Sequence, residues 1–411
     1  MRRLSSLVSS SSYGKATLEC VLKQHPGISN QVTSSMFEIR QSTPDTDDFQ
    51  NPLCDGDINV ETVALSVDPY MRCMFDPGHP QLGEYLQPIK LNEALHGGGI
   101  GLVVDSKNSR FPVGSLCCAP FLGYPWKTRA RLKTNDPNLN LQPVTFSHRP
   151  MLDLGALGMP GVTSWFCMLS VGNPQVGETV VVSGAAGACG SIAGQLAKRR
   201  GARVVGICGT DEKCNLLVSS FGFDVAINYK SPTFRQDMLD ACPNGIDVYM
   251  DNVGGDVSDV TLTMMAKNGR VPICGQISNY DDNIKYSEMV SEMGVSDINT
   301  RQRLQELCVD RRRFLVLDYA DEWEHALKKL AVLVANGEVI VPETLYIGFD
   351  PGTAFVDMMS GGNLGKASVV VHPDFLIGGA RWSDDVHGDP CSNRMVIKEK
   401  GSGDVGRVWR W

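Results

Sequence analysis

A chain of 411 residues, 42% hydrophobic and 20% charged, is long enough for two domains with cores of their own. Its formal net charge of −8, with no basic block to offset it, argues against a nucleic-acid or anionic-membrane partner. Thirteen scattered cysteines without a Cys-x-x-Cys pair give no sign of a zinc lobe, a redox pair or a disulfide framework, and read as reduced thiols in a cytoplasmic protein.

In chain order, residues 1–18 carry Arg2, Arg3, Lys15 and a run of serines with no acid before Glu19. That composition suits a mitochondrial presequence or a disordered tail, and residues 1–19 are read as a flexible extension. Strand-like segments follow at Val21–Arg40, Thr62–Val67 and Ile100–Asp105, with a turn at Pro112–Gly114. Frequent Gly and Pro make this an irregular β region up to about Pro150. Among the seven dispersed histidines, His96 beside Gly97–Gly99 is the one near a plausible site. The uncharged stretches Leu154–Gly177 and Thr179–Ala197 are too diluted by glycine and serine to span a bilayer.

From Met151 the texture changes. Strand-like RVVGIC (Arg203–Cys208), VAIN (Val225–Asn228), DVYMDNV (Asp247–Val253) and RVPICG (Arg270–Gly275) alternate with helical patterns, the signature of a parallel sheet covered by helices. A helical pattern over Glu322–Asn336 stops at Gly337, and Glu343–Phe349 is strand-like again. The expectation is an α/β fold: a doubly wound domain over 151–341 inserted into a β-rich domain over 20–150 and 342–373. Beyond Pro373 there is no apolar period, and 374–411 is read as a loose, disordered extension.

The stretch Val180–Gly201, VVVSGAAGACGSIAGQLAKRRG, carries the most chemistry. A β-branched strand runs into a turn marked by Gly184, Gly187 and Gly190, then into a helix of small residues. Such a turn lets a dinucleotide's pyrophosphate approach the backbone and sit on the positive end of the helix. A tight packing turn in some other α/β protein is the bland alternative. The second strand ends at Cys208–Gly209–Thr210 without an acid. Asp211 lies at about the distance expected for an NAD ribose contact, but it looks like the acidic first turn of a helix. Lys213 then places a cation where a 2′-phosphate would sit, so the reading leans to NADPH.

SVDPYMR (Ser66–Arg72), GGGIG (Gly97–Gly101), GMPGVTSW (Gly158–Trp165), SGAAGACGS (Ser183–Ser191), DNVGG (Asp251–Gly255), CGQISNY (Cys274–Tyr280) and GGNLGK (Gly361–Lys366) occur in consistent order. Together they resemble the prostaglandin reductases, zinc-independent members of the medium-chain dehydrogenase/reductase superfamily. The resemblance runs from about Val21 to Val371 and implies a GroES-like β domain plus a Rossmann domain. It also implies NADPH contacts. Ala186, Gly187, Ala188 and Cys189 would meet the pyrophosphate, and Lys213 and Tyr229 the 2′-phosphate. Asn252 and Asn363 would lie at the nicotinamide, with Cys274, Gly275, Gln276, Ile277 and Ser278 running along it. No metal ligand set is implied, since GGGIG stands where the zinc enzymes' Gly-His-Glu begins.

A hydride donor without a Lewis acid suits reduction of an alkene conjugated to a carbonyl, leaving an enolate oxygen that needs hydrogen-bond donors. The resemblance makes Tyr280 that donor. Tyr70 and Trp126 fall in segments that border the family's substrate channel, with packing inside the β domain the alternative for Trp126. The implied activity is reduction of the C13=C14 bond of 15-oxoprostaglandins, small lipid enones. The rivals are a general alkenal or quinone reductase and a non-catalytic NADPH-binding protein. Relatives are monomers or dimers. Departures from the family are the two extensions and the stretch Asn283–Asp297, which has acids and methionines where the family has prolines.

Overall fold

The computed structural model describes residues 16–43, 48–83, 86–146, 148–285, 287–288 and 294–372, together with the backbone of two strands at 394–399 and 408–410. Strands β1 (Leu18–Leu22) and β2 (Phe37–Gln41) pair antiparallel as a two-stranded sheet. Strand formation thus begins inside the segment read as a flexible extension, while residues 1–15 lie outside the described residues. Next come β3 (Asp57–Ser66), helix α1 (Met71–Met74), β4 (His96–Ser106), β5 (Leu116–Pro125), β6 (Arg129–Lys133) and β7 (Gln142–Pro143).

Beyond Pro150 the pattern alternates. Helix α2 (Met159–Trp165) leads into β8 (Thr179–Ser183), α3 (Ala188–Arg199), β9 (Arg203–Cys208), α4 (Asp211–Phe221), β10 (Val225–Asn228) and α5 (Phe234–Ala241). Then follow β11 (Ile246–Met250), α6 (Gly255–Leu262), β12 (Met265–Ile273), α7 (Ile298–Glu306), β13 (Asp310–Arg313) and α8 (Trp323–Ala335). The chain returns to the first domain with β14 (Glu343–Ile347), α9 (Pro351–Met359) and β15 (Lys366–Val370).

Six strands form a wholly parallel sheet in the order β10-β9-β8-β11-β12-β13. This is a doubly wound sheet whose direction of winding reverses between β8 and β11, the point at which such sheets bind ligands. Every residue of β8 is buried, as a β-branched central strand covered by helices on both faces must be. The second sheet is built on β3 to β5, and β15 pairs antiparallel with β3 at Ser368↔Ser66. That pairing brings the returning chain beside the SVDPYMR segment.

Two elements differ from expectation. Strand β13, sequence DRRR, has no apolar pattern because it is an edge strand with its side chains largely in water. The C-terminal segment is not structureless throughout: β16 (Arg394–Glu399) pairs parallel with β14, and β17 (Val408–Arg410) pairs with β16. The β-prone run Met395–Ile397 satisfies the otherwise open edge of β14, and Val408–Trp409 in turn pairs with the outer edge of β16. The remainder of 374–411 lies outside the described residues.

Candidate active site

A cleft of about 1140 Å³ opens between the two domains at the carboxyl ends of β8, β9 and β11. One wall is the glycine turn. Gly184 takes a positive φ of +58°, and Gly187 donates its backbone N–H to the Gly184 carbonyl (2.9 Å). A Cβ on Gly190 would stand 2.4 Å from that same carbonyl oxygen, so the helix can begin this close to the strand only without one. Helix α3 starts at Ala188 with no side-chain cap and no acid in its first turn. Its leading N–H groups therefore face the cleft with the positive end of the helix dipole behind them. An uncapped helix start over a side-chain-free turn fits a diphosphate group. Ala186, Gly187, Ala188 and Cys189 all line the cleft there.

The neighbouring helix is different. Thr210 caps α4 by accepting from the Lys213 N–H (3.2 Å), and Asp211 and Glu212 occupy its first turn. Asp211 does not line the cleft; its carboxylate accepts from the Asn228 amide (2.8 Å). Lys213 and Tyr229 do line it. The Lys213 ammonium donates to the Gly361 carbonyl of the other domain (2.6 Å), and the Tyr229 ring lies against Gly209.

Asn252 and Asn363 reach the cleft as well, each with its amide nitrogen committed to backbone: Asn252 donates to the Ser183 carbonyl and Asn363 to that of Gly365 (2.7 Å each). Of the Cys274–Ser278 run, Cys274, Gly275 and Ile277 line the cleft. Gln276 and Ser278 do not. Gln276 is buried and donates to Asp251 (3.3 Å), while Ser278 is exposed and donates to the Val253 carbonyl (2.6 Å). The tight turn over Ile277–Asn279 sends these two side chains away from the wall their neighbours form.

Tyr280 closes that turn and lines the cleft, its hydroxyl lying over Gly275, where an added Cβ would stand 3.2 Å from it. Tyr70, also in the cleft lining, packs on Phe121 with ring centroids 4.9 Å apart and donates to the Phe121 carbonyl (2.9 Å). With Leu82, Leu86 and Met358 these rings make an apolar end to the cleft. Trp126 is not part of it. Its backbone N–H pairs with the Leu95 carbonyl (2.7 Å), and its indole, wholly buried in the β-domain core, lies beside Gly97. The expected substrate contact is therefore corrected to a core residue.

Residues 19–136 match the family model for the N-terminal domain of oxidoreductase, and residues 188–304 match the zinc-binding dehydrogenase model. The putative NADP-dependent oxidoreductase YfmJ of Bacillus subtilis is 38% identical over 323 residues, 77% of this chain and 88% of that protein. Prostaglandin reductase 1 of Bos taurus is 38% identical over 321 residues, 77% of this chain and 90% of that protein. This chain belongs to the zinc-independent medium-chain oxidoreductases that include the prostaglandin reductases.

Among solved structures, CurA from Vibrio vulnificus in complex with NADPH superposes with a TM-score of 0.75 at 29% identity, covering 86% of this chain and 99% of that one. Escherichia coli quinone oxidoreductase complexed with NADPH shares the fold, with a TM-score of 0.63 at 18% identity over 86% of this chain and 99% of that one. In this oxidoreductase the GGGIG run is explained by packing: a Cβ on Gly99 would fall 2.3 Å from the Tyr124 ring, leaving no room for a larger residue. Among the described residues no three His, Cys, Asp or Glu side chains come together in a metal-binding group.

Two features of the site escaped sequence reasoning. Asp68 and Lys366 line the cleft as a buried ion pair (3.0 Å). Lys366 also donates to the Val67 and Ala367 carbonyls (2.7 and 2.8 Å), and Ser66 donates to Asp68, so every charge is answered. Both residues sit in quoted motifs, but nothing local says that they meet. The second is the thiol state. A hydrogen bond with Cys274, reinforced by burial, pushes the Cys189 thiol well up, and a hydrogen bond with Cys167 leads the same effect on Cys274. Neither is a thiolate nucleophile at neutral pH.

Proposed function

We propose that this oxidoreductase is an NADPH-dependent enone reductase of the prostaglandin reductase 2 type, reducing the C13=C14 double bond of 15-oxoprostaglandins. The observation that carries this reading is the position of Tyr280, a phenol facing a cleft whose far wall is an uncapped helix start and whose near end is apolar and aromatic. NADP dependence in the name of YfmJ, NADPH in the CurA complex and prostaglandin reductase 1 among the relatives support it.

The backbone of Ala186–Cys189 holds the pyrophosphate, and Lys213 with Tyr229 holds the 2′-phosphate. Asn252, Asn363, Cys274, Gly275 and Ile277 flank the nicotinamide. NADPH supplies a hydride to the β-carbon of the enone. As charge moves onto the substrate's carbonyl oxygen, the Tyr280 hydroxyl donates a hydrogen bond to it and keeps its own proton; the enolate then collapses back to the ketone as its α-carbon, C14, takes a proton from solvent water. Tyr70 and Phe121 receive the apolar chain. Gln276 and Ser278 contribute through their backbone alone. The protein acts in the cytoplasm as a monomer or homodimer on a small lipid, without a membrane or nucleic-acid partner. Among the described residues no helix is long and apolar enough to cross a membrane.

A broader second reading, a general alkenal or quinone reductase, rests on the stretch Asn283–Asp297, which departs from the family's prolines and whose Lys285 lines the cleft. NADPH consumption by the purified protein with 15-oxoprostaglandin E2, a short alkenal and a quinone separates the readings. Consumption with the prostaglandin alone supports the first, and consumption with all three the second. Tight NADPH binding without turnover on any of them would leave a non-catalytic binding protein.

A further inference from the structure

The segment that carries Tyr280 belongs to the Rossmann domain, yet the opposite domain holds it at three consecutive residues. Gln81 donates its side-chain amide to the Asn279 carbonyl (2.6 Å), His79 bonds through Nε2 to the Tyr280 carbonyl (2.8 Å), and Arg72 donates through Nε to the Asp281 carboxylate (2.6 Å). These partners stand 198, 201 and 209 residues apart in the chain. The holding groups are themselves fixed. Arg72 has no exposed surface; its other nitrogens donate to Asp76 and to the carbonyls of Gly27, Ile28 and Asn30.

The bonding of His79 settles its tautomer. Its Nδ1 accepts from the Gln81 backbone N–H (3.2 Å) and so carries no proton, which leaves Nε2–H to donate to the Tyr280 carbonyl. Burial holds its pKa below the ordinary imidazole range, which keeps this neutral donor form. His79 does not line the cleft. Every polar atom of the ring is spent on backbone, one bond on its own loop and one on the backbone of the residue assigned the oxyanion.

We infer that His79 is a positioning residue for Tyr280, fixing the phenol over the cleft from the other domain, with Arg72–Asp281 as a second fastening. This rests on the reading of Tyr280 as the hydrogen-bond donor. A hydrogen-bond donor is worth its full rate effect only when it is held where charge will develop, without reorganising at the moment of reaction. Loss of one neutral hydrogen bond that holds it corresponds to about a tenfold change in rate.

The test is a double-mutant cycle in the full-length protein, reading kcat at saturating NADPH, the Kd for NADPH, and amide hydrogen exchange over residues 276–282. His79→Ala is expected to lower kcat about tenfold, to leave the NADPH Kd within about twofold, and to speed exchange in that segment about tenfold. His79→Gln, which keeps an N–H donor near the position of Nε2, should recover kcat to within about threefold of wild type. In the Tyr280→Phe background, His79→Ala should change kcat by less than about twofold, because the group it positions is already gone. Asp281→Asn, at a partly exposed position, supplies the same cycle should His79→Ala fail to fold.

An equal loss from His79→Ala in both backgrounds, a His79→Gln variant as impaired as the alanine, or wild-type kcat in His79→Ala would each overturn the inference. Full turnover in Tyr280→Phe alone would instead remove the donor role itself. The two failures are therefore distinguishable.

Discussion

At the glycine-turn end of the cleft the groups that face a ligand come from one continuous stretch, Gly184–Gly190, and are mainly backbone. At the Tyr280 end the wall is assembled from segments around Tyr70, Phe121, Ile277 and Met358, and the backbone that carries its central side chain is tied down across the domain boundary. The first end is preformed by local geometry and, under the proposed function, would hold the part of the cofactor that all enzymes of its class share. The second depends on how the two domains meet, so substrate preference can change there without disturbing the cofactor site. The buried Asp68–Lys366 pair lines the same cleft, with Asp68 following β3 and Lys366 opening β15.

That contrast can be broken from either side. Tyr280→Phe should give the largest effect, a fall in turnover of about 10²–10³-fold with NADPH affinity nearly intact, the size known for a single oxyanion donor. Steady-state kinetics beside a direct titration of NADPH checks it, and unchanged turnover would remove Tyr280 from the chemistry. Gly190→Ala should do the opposite. Its Cβ meets backbone that cannot move freely, so NADPH binding should weaken about 10–10²-fold, equivalent to ~1–3 kcal/mol of overpacking. Its kcat at saturating NADPH should stay within a few-fold.

Lys213→Ala should cost NADPH about tenfold in affinity while leaving NADH unaffected. A parallel loss for both nucleotides would detach this lysine from the 2′-phosphate. Trp126→Phe should be the mildest in catalysis. We expect a stability loss of about 1–2 kcal/mol from the underfilled core, seen as a lowered denaturation midpoint, with the KM for the enone unchanged.

The same contrast explains what could be read from the chain. The β8–turn–α3 unit is legible because strand, glycines and helix lie within about twenty consecutive residues whose chemistry is local. Alternating strands and helices likewise announce a parallel sheet. The charged edge strand β13 carries no apolar signal, and the pairing of β16 with β14 depends on an edge that only the folded sheet offers. In CGQISNY the spacing alone does not tell that Gln276 and Ser278 turn away while Ile277 and Tyr280 face in. Among the histidines, the glycine run Gly97–Gly99 drew attention to His96, whereas His79, between Gly78 and Pro80 in no quoted motif, holds the Tyr280 carbonyl. Side chains that meet across two hundred residues leave no spacing to recognise.

The central claim, hydride delivery to the β-carbon of an enone stabilised at its oxygen by Tyr280, is tested most directly by isotope placement. 15-Oxoprostaglandin E2 is reduced with NADPH deuterated on the transferring face of the nicotinamide C4, and the product is examined by mass spectrometry and NMR. One deuterium at C13, a saturated 13,14 bond and an intact 15-carbonyl are expected. Deuterium at C15 with an alcohol in place of the carbonyl, or no product despite tight NADPH binding, would contradict it.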